Sequence, residues 1–417
     1  MMRILVIGSG GREHAIVWKL SKSEKVKKIY SAPGNAGISE LAECVDISVE
    51  NVEGLAEFAI KNNIDYTIVG PEVPLMLGIV DYFEEKGLKV FGPNKNAAII
   101  EGSKNFTKNL LKKYGIPTAD FKSFENYEEA MKYIAEIGFP VVIKADGLAQ
   151  GKGVVIAKNK EEAKEALTEM MVDKIFGESG RVVVIEEFLE GPEASILAFT
   201  DGETVLPMVS AMDYKRVFDG NEGPNTGGMG AISPNPYVDE KTMDIVYNQI
   251  LKPTVEAMRK EGRRFKGVLY AGLMLTEKGP KVLEFNARFG DPETQVILPL
   301  LETDLMDIVE AVISERLHEI EVKWSDKKAV CVVLSSGGYP LKYQTGYEIK
   351  GLGDLDDVIP FHAGTKKIEG KLVTAGGRVL GLTALGNDYK EAREKVYREI
   401  TKVSFEKMHY RKDIGLL

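Results

Sequence analysis

The chain has 417 residues, of which 44% are hydrophobic and 28% are charged. This length suggests about two to four domains with buried cores, and the hydrophobic share excludes an intrinsically disordered protein. Fifty-four Lys and Arg residues against 63 Asp and Glu residues give a net charge of −9, so no nucleic-acid partner is expected.

Cys44 and Cys331 are too few for a disulfide framework, and the four histidines lack zinc-ligand spacing. The N-terminal apolar run of about five residues is too short for a signal peptide or a membrane span. We therefore expect a cytoplasmic protein without a membrane partner that acts on small molecules, as a monomer or a small homo-oligomer.

The first part of the chain alternates short apolar runs with helical patterns. Residues 3–7 form an apolar run that is followed by glycines and by a helical pattern over residues 13–20. Further apolar runs lie at residues 28–32, 66–69 and 88–91. This alternation predicts a doubly wound parallel sheet in an α/β domain over residues 1–101. Ligands of such sheets bind at the carboxyl ends of the strands, so we expect this domain to bind a substrate.

The pattern changes after Gly102, and we expect a second domain over residues 102–324. Within it, short strands and helices over about residues 120–190 predict a small inserted α+β unit. Residues 211–236 are rich in glycine and proline and predict a long irregular loop, which is either a lid or a disordered crossing. Residues 325–417 predict a small strand-rich C-terminal domain.

The first glycine-rich loop runs from Gly8 to Glu13 and begins like the dinucleotide fingerprint, but Glu13 stands where the last glycine would be. This disfavours a nicotinamide dinucleotide. The backbone N–H groups at the start of the helix suit a single phosphate, and Arg12 would add a bidentate contact. The alternative is a tight strand–helix turn without a ligand.

The second glycine-rich loop, residues 146–153, is not a P-loop because only three residues separate Gly147 from Gly151 and Gly153 takes the Ser/Thr position. A glycine hairpin with Lys152 could instead fold over phosphates. Lys144 ends an otherwise apolar strand, and a lysine there either reaches solvent or has an anionic partner. We favour the anionic ligand.

Glu284, Asn286 and Arg288 alternate along a predicted strand and therefore share one face. Two oxygen donors and a guanidinium suit a magnesium–polyphosphate group, with an exposed edge strand as the alternative. Residues 290–293 add two carboxylates. Residues 186–193 form a carboxylate-rich turn that suits adenine and ribose, although a solvated loop has the same composition. No arrangement of residues indicates covalent catalysis by the protein.

The order of these motifs resembles the phosphoribosylamine–glycine ligases (glycinamide ribonucleotide synthetases), a family in the ATP-grasp superfamily. The strings that carry the resemblance are IGSGGREHA, SAPGNAG, VGPEVPL, EGSK, VIKADGLAQGKGV, VIEEFLEG, GPNTGGMGA, LEFNARFGDPETQ, FHAGT, GGRVL and RKDIG. They extend over nearly the whole chain, and GPNTGGMGA and FNARFGDPET are the most specific. The resemblance implies that ATP drives the joining of glycine to 5-phosphoribosylamine through glycyl phosphate, in de novo purine biosynthesis.

The resemblance also implies an ATP-grasp core in which ATP lies between the inserted unit and the main domain, together with Mg²⁺, or Mn²⁺ as the alternative ion. The implied ATP contacts are Lys104, Lys144, Gly147, Gly151, Lys152, Gly153, Glu186, Glu187, Leu189 and Glu193. The implied metal ligands are Glu284 and Asn286. The implied substrate contacts are Gly10, Gly11, Arg12, Asn35, Gly37, Glu72, Lys215, Thr226, Gly227 and Gly228. The implied catalytic residues are Arg288, Asp213 and Asp291, with Arg288 on the glycine carboxylate and either aspartate on its ammonium group.

One departure from the superfamily concerns the metal site. Many ATP-grasp relatives carry an acidic metal ligand on the strand before the Glu-x-Asn strand, whereas residues 270–274 contain no carboxylate. The number of metal ions therefore stays open. Three alternatives also stay open, namely an ATP-grasp enzyme with another acid substrate, a nicotinamide oxidoreductase, and an ATP-binding regulatory protein without turnover.

Overall fold

The computed structural model describes residues 1–148 and 153–417. The N-terminal part is a parallel sheet with helices on its faces. Its strands are β1 (Met2–Gly8), β2 (Val26–Pro33), β3 (Glu43–Cys44), β4 (Tyr66–Val69) and β5 (Val90–Phe91). Its helices are α1 (Gly11–Leu20), α2 (Val52–Lys61), α3 (Glu72–Leu77), α4 (Ile79–Glu85) and α5 (Lys95–Gly102).

The strands of this sheet are parallel and lie in the order β3-β2-β1-β4-β5. The order reverses between β1 and β4, and the crevice at the carboxyl ends of these two strands is where such sheets bind ligands. The predicted doubly wound sheet is therefore confirmed. The predicted ends of β1 and β4 differ from the observed ends by at most one residue, because both strands are buried and flanked by glycine.

The next part of the chain begins with a helix and continues into a small antiparallel sheet. The helices are α6 (Lys104–Tyr114), α7 (Tyr127–Ile137) and α8 (Lys160–Leu167). The strands are β6 (Phe121–Phe124), β7 (Val141–Ala145), β8 (Val154–Ala157) and β9 (Val183–Glu187), in the sheet order β6-β9-β7-β8. Ser103 caps the start of α6, and Gly115 ends the helix with a positive φ of 67°. The small sheet and its helices have a hydrophobic core of their own.

The main sheet of the molecule is antiparallel, in the order β11-β10-β16-β17. The strands in this part of the chain are β10 (Glu193–Thr200), β11 (Val205–Pro207), β12 (Met212–Asp213), β13 (Arg216–Phe218), β14 (Glu222–Asn225), β15 (Gly230–Ser233), β16 (Gly267–Thr276) and β17 (Gly279–Asn286). The helices are α9 (Glu240–Val246), α10 (Lys252–Lys260), α11 (Thr294–Ile297) and α12 (Leu305–Ile313).

The C-terminal part is a strand-rich unit with one long helix packed on it. Its elements are β18 (Lys328–Ser336), β19 (Ile359–His362), β20 (Thr365–Ile368), β21 (Lys371–Thr374), β22 (Arg378–Gly386), α13 (Tyr389–Ile400) and β23 (Met408–His409). Its sheet has the order β12-β15-β18-β22-β19, with β23 paired to β18. No helix in the described part of the chain is long and apolar enough to cross a membrane.

The segment 211–236 differs from the long irregular loop predicted for it. It contains β12 and β15, which extend the C-terminal sheet, and the hairpin of β13 and β14. The partner of Gly230 is Val332, far along the chain. A strand stabilised by such a distant partner leaves no local pattern in a glycine-rich sequence, which is why the composition predicts a loop. The sheet also crosses the domain boundary expected at residue 324.

Candidate active site

A cleft of about 1060 Å³ lies where the small sheet, the main sheet, the N-terminal domain and the C-terminal domain meet. Most of the side chains singled out from the sequence line it. These residues are Arg12, Glu72, Lys104, Lys144, Gly153, Glu186, Glu187, Leu189, Glu193, Asp213, Lys215, Thr226, Gly227, Glu284, Asn286, Arg288 and Asp291. Gly10, Gly11, Asn35, Gly37, Gly147 and Gly228 are described by the structure but are not among the lining residues. Gly151 and Lys152 lie outside the described residues.

Two lysines face the cleft from different elements. Lys144, at the end of β7, is only 5% exposed, and its Nζ lies 3.0 Å from Glu186 Oε1 and donates to the Leu283 carbonyl. The structure thus gives Lys144 a protein carboxylate as its anionic partner, whereas the anionic ligand favoured from the sequence stays a prediction. Lys104, at the start of α6, donates to the Gly147 carbonyl over 3.1 Å, and burial lowers its pKa although Glu284 opposes the shift. Both ammonium groups can therefore reach an anionic ligand in the cleft.

Sequence reasoning missed Lys108, which lies one helical turn after Lys104. It is 2% exposed, and its Nζ lies 2.8 Å from Glu186 Oε2 and 2.7 Å from Thr118 Oγ1. Burial lowers the pKa of Lys108 to about 8. The carboxylate of Glu186, predicted to hold adenine or ribose, is thus occupied by two lysines. The i, i+4 spacing of lysines 104 and 108 on the predicted helix was the available signal.

Apolar side chains cover the part of the cleft next to the small sheet. They are Val142, Leu148, Ile156, Phe188, Leu189, Met274 and Leu283. The Glu187 carboxylate at its edge accepts hydrogen bonds from Lys281 Nζ and from the Asp120 amide. Apolar walls beside a strand end suit a flat aromatic base.

The two predicted metal ligands lie at the end of β17 with the alternation that the sequence predicted. Phe285 and Ala287 point into the core, at 3% and 1% exposure, whereas Glu284 and Asn286 line the cleft. Burial alone would raise the pKa of Glu284, but the nearby cations, Lys215 foremost, hold it below its usual range. Glu284 is therefore an anion at neutral pH.

The donor set fits a hard divalent cation that arrives with a polyphosphate. Within residues 1–148 and 153–417, no cluster of three or more His, Cys, Asp or Glu side chains could hold a metal alone. One carboxylate and one amide oxygen leave most coordination positions to phosphate oxygens and water, which is the usual arrangement for Mg²⁺. The cations around Glu284 further disfavour metal binding without a polyanion.

Arg288 is fixed by two carboxylates. Its Nη2 lies 2.8 Å from Glu101 Oε1, and its Nε lies 3.3 Å from Glu72 Oε2. Nη2 also donates to Asn286 Oδ1 over 3.3 Å, and the other oxygen of Glu101 accepts from the Ala287 amide. Arg288 thereby orients a predicted metal ligand. Glu101, the first residue of the EGSK motif, was not predicted as a site residue, because a single buried glutamate leaves no pattern of its own.

A buried acidic group lies beside the metal ligands. Glu293 Oε1 accepts hydrogen bonds from the hydroxyls of Tyr270 and Ser195. Asp213 Oδ1 is buried and has no hydrogen-bond partner in the described part of the chain. Burial, and then the charge of Glu293, raises the pKa of Asp213 well above its usual value. An ammonium group placed here would satisfy Asp213.

The other predicted catalytic aspartate is already engaged. Asp291 accepts from Gln295 Nε2 over 2.8 Å and from the Arg12 amide over 3.3 Å, and it lies 3.3 Å from Arg378 Nη1. Burial alone would raise its pKa, but Arg378 and Arg12 lower it. Asp291 is therefore paired with Arg378 and with the backbone of Arg12, and its predicted contact with the glycine ammonium group stays a prediction.

The first glycine loop is filled by Glu13. This side chain is 2% exposed, accepts from the Gly10 amide over 2.6 Å and lies 2.5 Å from Arg12 Nε. Gly8 and Gly70 make room for it, since a Cβ at either position would lie within 2.5 Å of Glu13. A buried acid is therefore compatible with close packing here. The Glu13 carboxylate accepts the hydrogen bond of the Gly10 amide, which was predicted to contact a phosphate. Gly11 packs against Gln295.

Asn35 and Gly37 join domains and do not line the cleft. Asn35 Nδ2 donates to the carbonyls of Ser9 and His362, and its Oδ1 accepts from the amides of Gly37 and Ile38. A Cβ on Gly37 would lie 2.3 Å from the His362 ring. Both residues contact the FHAGT motif, and the sugar contacts assigned to them stay a prediction.

The segment 211–236 is held by the C-terminal domain. The Gly227 amide donates to the Tyr339 hydroxyl over 2.9 Å, and Arg378 donates to the Gly227 carbonyl. Arg411, which is 1% exposed, donates to the Arg216 carbonyl over 3.1 Å and to Asn221 Oδ1 over 3.0 Å. Thr226 and Gly227 are therefore positioned by residues far from them in sequence.

Gly228 requires a glycine. Its φ is +113°, and a Cβ there would lie 2.6 Å from Asp213 Oδ1 and 2.4 Å from the Pro292 ring. Lys215 forms an ion pair with Glu193 across the same loop. The loop thus brings a buried carboxylate and a cation to one wall of the cleft.

Three family models together match nearly the whole chain. The N domain of phosphoribosylglycinamide synthetase matches residues 2–101, its ATP-grasp (A) domain residues 102–294, and its C domain residues 329–417. The phosphoribosylamine–glycine ligase of Caldanaerobacter subterraneus subsp. tengcongensis is 62% identical over 99% of both chains. The enzyme of the same name from Halalkalibacterium halodurans is 54% identical over 99% of this chain and 96% of its own.

Solved structures agree with these matches. The crystal structure of phosphoribosylamine–glycine ligase from Thermotoga maritima has a TM-score of 0.86 and 38% identity, and covers 99% of both chains. The biotin carboxylase domain of Hydrogenobacter thermophilus 2-oxoglutarate carboxylase, solved with ADP, magnesium and bicarbonate, has a TM-score of 0.75. At 16% identity over 98% of this chain and 92% of that domain, it shows the shared fold.

Proposed function

The chain belongs to the phosphoribosylglycinamide synthetase family, and we propose that its central cleft holds the three substrates of that family side by side. The chain is an ATP-dependent carbon–nitrogen ligase that joins glycine to 5-phosphoribosylamine. The products are glycinamide ribonucleotide, ADP and phosphate, and the reaction is a step of de novo purine biosynthesis. The observation that carries the substrate placement is the convergence of Lys104, Lys144 and Glu284 with Asp213 in one cleft.

ATP is assigned to the side of the cleft next to the small sheet. Its adenine would lie between the apolar walls near Leu189 and Leu283, and its phosphates would extend toward Lys104 and Lys144. We assign the ion to Mg²⁺, with Mn²⁺ as the alternative, and its protein ligands to Glu284 and Asn286. The ion would neutralise charge on the transferred phosphoryl group, which is the main requirement of phosphoryl transfer.

Glycine is assigned to the wall formed by the segment 211–236 and the end of β17. Its ammonium group would lie against Asp213, whose buried Oδ1 has no other partner among the described residues. Its carboxylate would face the transferred phosphate near Arg288, although the structure gives that guanidinium two carboxylate partners already. Arg288 therefore orients Asn286 as well as the substrate.

Phosphoribosylamine is assigned to the side of the cleft near the N-terminal sheet. Arg12 and Glu72 line this side, with Arg12 suited to the phosphate and Glu72 to the ribose hydroxyls. Arg378 reaches the same region from the C-terminal domain. This placement leaves the amine free to approach a glycyl group held near Asp213.

The reaction has two bond-forming steps. A glycine carboxylate oxygen takes the γ-phosphoryl group of ATP, which gives glycyl phosphate and ADP. The amine of phosphoribosylamine then attacks the glycyl carbonyl carbon, the bond to phosphate breaks, and the amine loses a proton as the amide forms. Water would hydrolyse the acyl phosphate, so a deep cleft lined by four structural units is suited to this chemistry.

We further propose that the enzyme acts in the cytoplasm and that its substrate-binding, ATP-grasp and C-terminal units correspond to residues 1–101, 102–324 and 325–417. The family models support this division, because their limits fall at residues 101, 102 and 329. The shared sheet of β12, β15 and β18 nevertheless makes the last two units interdependent.

The deciding experiment is ADP release with ATP, Mg²⁺, glycine and freshly generated phosphoribosylamine, with each substrate omitted in turn. ADP release that requires both co-substrates, together with a product of the mass of glycinamide ribonucleotide, is the expected result. ADP release that is indifferent to glycine would assign another acid to the Asp213 wall. A folded protein that binds ATP without releasing ADP would contradict the proposed placement as a whole.

A further inference from the structure

Lys108 lines the same cleft as Lys104 and Lys144 but has no role in the substrate placement proposed above. It is on α6, its ammonium group is buried, and its closest partners are Glu186 Oε2 at 2.8 Å and Thr118 Oγ1 at 2.7 Å. Thr118 in turn donates to the Val282 carbonyl of β17. Lys108 therefore links the helix that carries Lys104 to the strand that carries the metal ligands.

Glu186 is shared between two lysines. One oxygen faces Lys108 and the other lies 3.0 Å from Lys144 Nζ, and all three side chains are at most 7% exposed. A buried carboxylate is costly unless cations and donors compensate it. With two lysines present, the group of three carries a net charge of +1. With Lys108 removed, the carboxylate would have Lys144 as its cationic partner, and the pair would be neutral.

We infer that Lys108 is a positioning residue for ATP, which acts through Glu186 on Lys144. It satisfies one oxygen of the shared carboxylate and so leaves the Lys144 ammonium group able to turn toward a phosphate. Glu186 and Thr118 engage two of the three donors of the Lys108 ammonium group, so we assign this lysine to the protein network and not to ATP, although it lines the cleft. The inference rests on the proposed placement of the ATP phosphates at Lys144.

The arrangement has a consequence that separates it from an ordinary buried ion pair. If Lys108 acts through Glu186 alone, its removal matters only while the Glu186 carboxylate is present. Replacement of Glu186 by Gln removes the negative charge that would otherwise keep the Lys144 ammonium group paired with residue 186 and away from the ATP phosphates. In that background, a second substitution of Lys108 should leave ATP binding unchanged.

The test is a mutant cycle of the full-length enzyme with Lys108→Met, Glu186→Gln and the double variant. ATP binding is measured by calorimetry with Mg²⁺, and KM and kcat are measured for each substrate. Lys108→Met should raise the Kd and KM for ATP about tenfold, with the KM values for glycine and phosphoribosylamine within about twofold. Lys112→Met, on the exposed face of the same helix, is the matched control and should behave as wild type.

The double variant decides the mechanism. Its Kd for ATP should match that of Glu186→Gln within about twofold. A further loss of ATP affinity in the double variant would mean that Lys108 contacts ATP itself. An equal rise of all three KM values in Lys108→Met would mean a structural role. Either result overturns the inference. Should Lys108→Met fail to fold, the comparison of Glu186→Gln with the double variant still decides, because both lack the unpaired carboxylate.

The binding measurement also separates this inference from the proposed function. Glycine-independent ADP release would overturn the proposed substrate placement while leaving the cycle for ATP interpretable. Normal ligation with no effect of Lys108→Met on ATP would overturn the inference and leave the placement intact.

Discussion

The amide of Gly227 donates a hydrogen bond to the hydroxyl of Tyr339, over 2.9 Å, and this bond joins the wall of the cleft to the C-terminal domain. The Tyr339 ring also packs against Gly377, where a Cβ would lie 2.2 Å from the ring. The hydroxyl and the ring therefore have separate tasks. The partly buried ring packs against Gly377 of the C-terminal unit, whereas the hydroxyl fixes the orientation of one peptide group in the segment 211–236.

Replacement of Tyr339 by Phe should remove the support of the loop without removing the ring. One hydrogen bond of this kind contributes about 1 kcal/mol, so we expect the KM for glycine or phosphoribosylamine to rise about fivefold, with the KM for ATP unchanged. Steady-state kinetics with each substrate varied in turn measure this. Tyr343→Phe, at a partly exposed neighbouring ring, is the control. A rise in the KM for ATP alone would contradict the expectation.

Replacement of Glu284 by Ala removes the anionic metal ligand proposed on β17. We expect kcat to fall by about two orders of magnitude or more at limiting Mg²⁺, because the charge on the transferred phosphoryl group is then poorly neutralised. The fold should persist, since Glu284 faces the cleft. Activity across a magnesium titration checks this, with the exposed Glu277→Ala of the same hairpin as control. Wild-type turnover of the variant at low magnesium would refute the ligand assignment.

Replacement of Arg12 by Met keeps the alkyl stem and removes the guanidinium proposed to face the phosphate of phosphoribosylamine. The KM for that substrate should rise at least about tenfold, since a charge-assisted contact is lost, while the KM for ATP stays the same. Thermal unfolding checks the fold, because Arg12 also pairs with the buried Glu13. An unchanged KM would place the phosphate elsewhere, with Arg378 as the next candidate.

His14 and His362 make the stability of the protein depend on pH. His14 Nδ1 accepts from the His362 amide over 2.7 Å, and the two rings lie 5.5 Å apart. Burial, together with His362, lowers the pKa of His14 to about 3, and burial, together with Lys367, lowers that of His362 to about 4. The unfolded chain binds more protons between about pH 4 and 6.5, so stability is present above this window and is lost as the pH falls through it.

The free energy of unfolding should fall by about 1.4 kcal/mol per pH unit for each of these histidines below about pH 6. His14→Asn retains a side-chain acceptor and should make the fall about half as steep. Urea unfolding at pH 4.5, 5.5 and 6.5 measures the slope. His318→Asn, at an exposed histidine, should leave it unchanged, and a wild-type slope in His14→Asn would exclude His14 as its source.

The sequence predicted the N-terminal sheet closely because both signals that define it are local. Buried strands such as Tyr66–Val69 are continuous apolar runs, and the glycine loops that follow them mark their ends. The alternation at Glu284 and Asn286 was equally local, and the structure confirms which side chains face the cleft. The apolar strand around Lys144 also indicated that this lysine needs an anion or solvent, but the local pattern did not reveal that a protein carboxylate, Glu186, lies beside it.

Other features depend on contacts that no local pattern contains. Glu13 seemed too bulky for its loop, and the structure accommodates it because Gly8 and Gly70, from two different strand ends, both lack a side chain. Asn35 was predicted to contact a sugar, whereas its partners include His362, at the other end of the chain. Glu186 was predicted to hold adenine or ribose, and its two lysine partners were missed because they come from two different elements.

The pairing of β15 with β18 constrains when the enzyme becomes competent during its synthesis. β15, which begins at Gly230, pairs with residues 329–332 of β18. Arg411, near the C-terminus, donates a hydrogen bond to the Arg216 carbonyl of the same segment. A nascent polypeptide that has emerged only as far as α12 therefore has the lysines proposed to bind ATP but lacks support for the wall proposed to bind glycine. Almost the entire chain must therefore leave the ribosome before the cleft in which glycyl phosphate forms is complete.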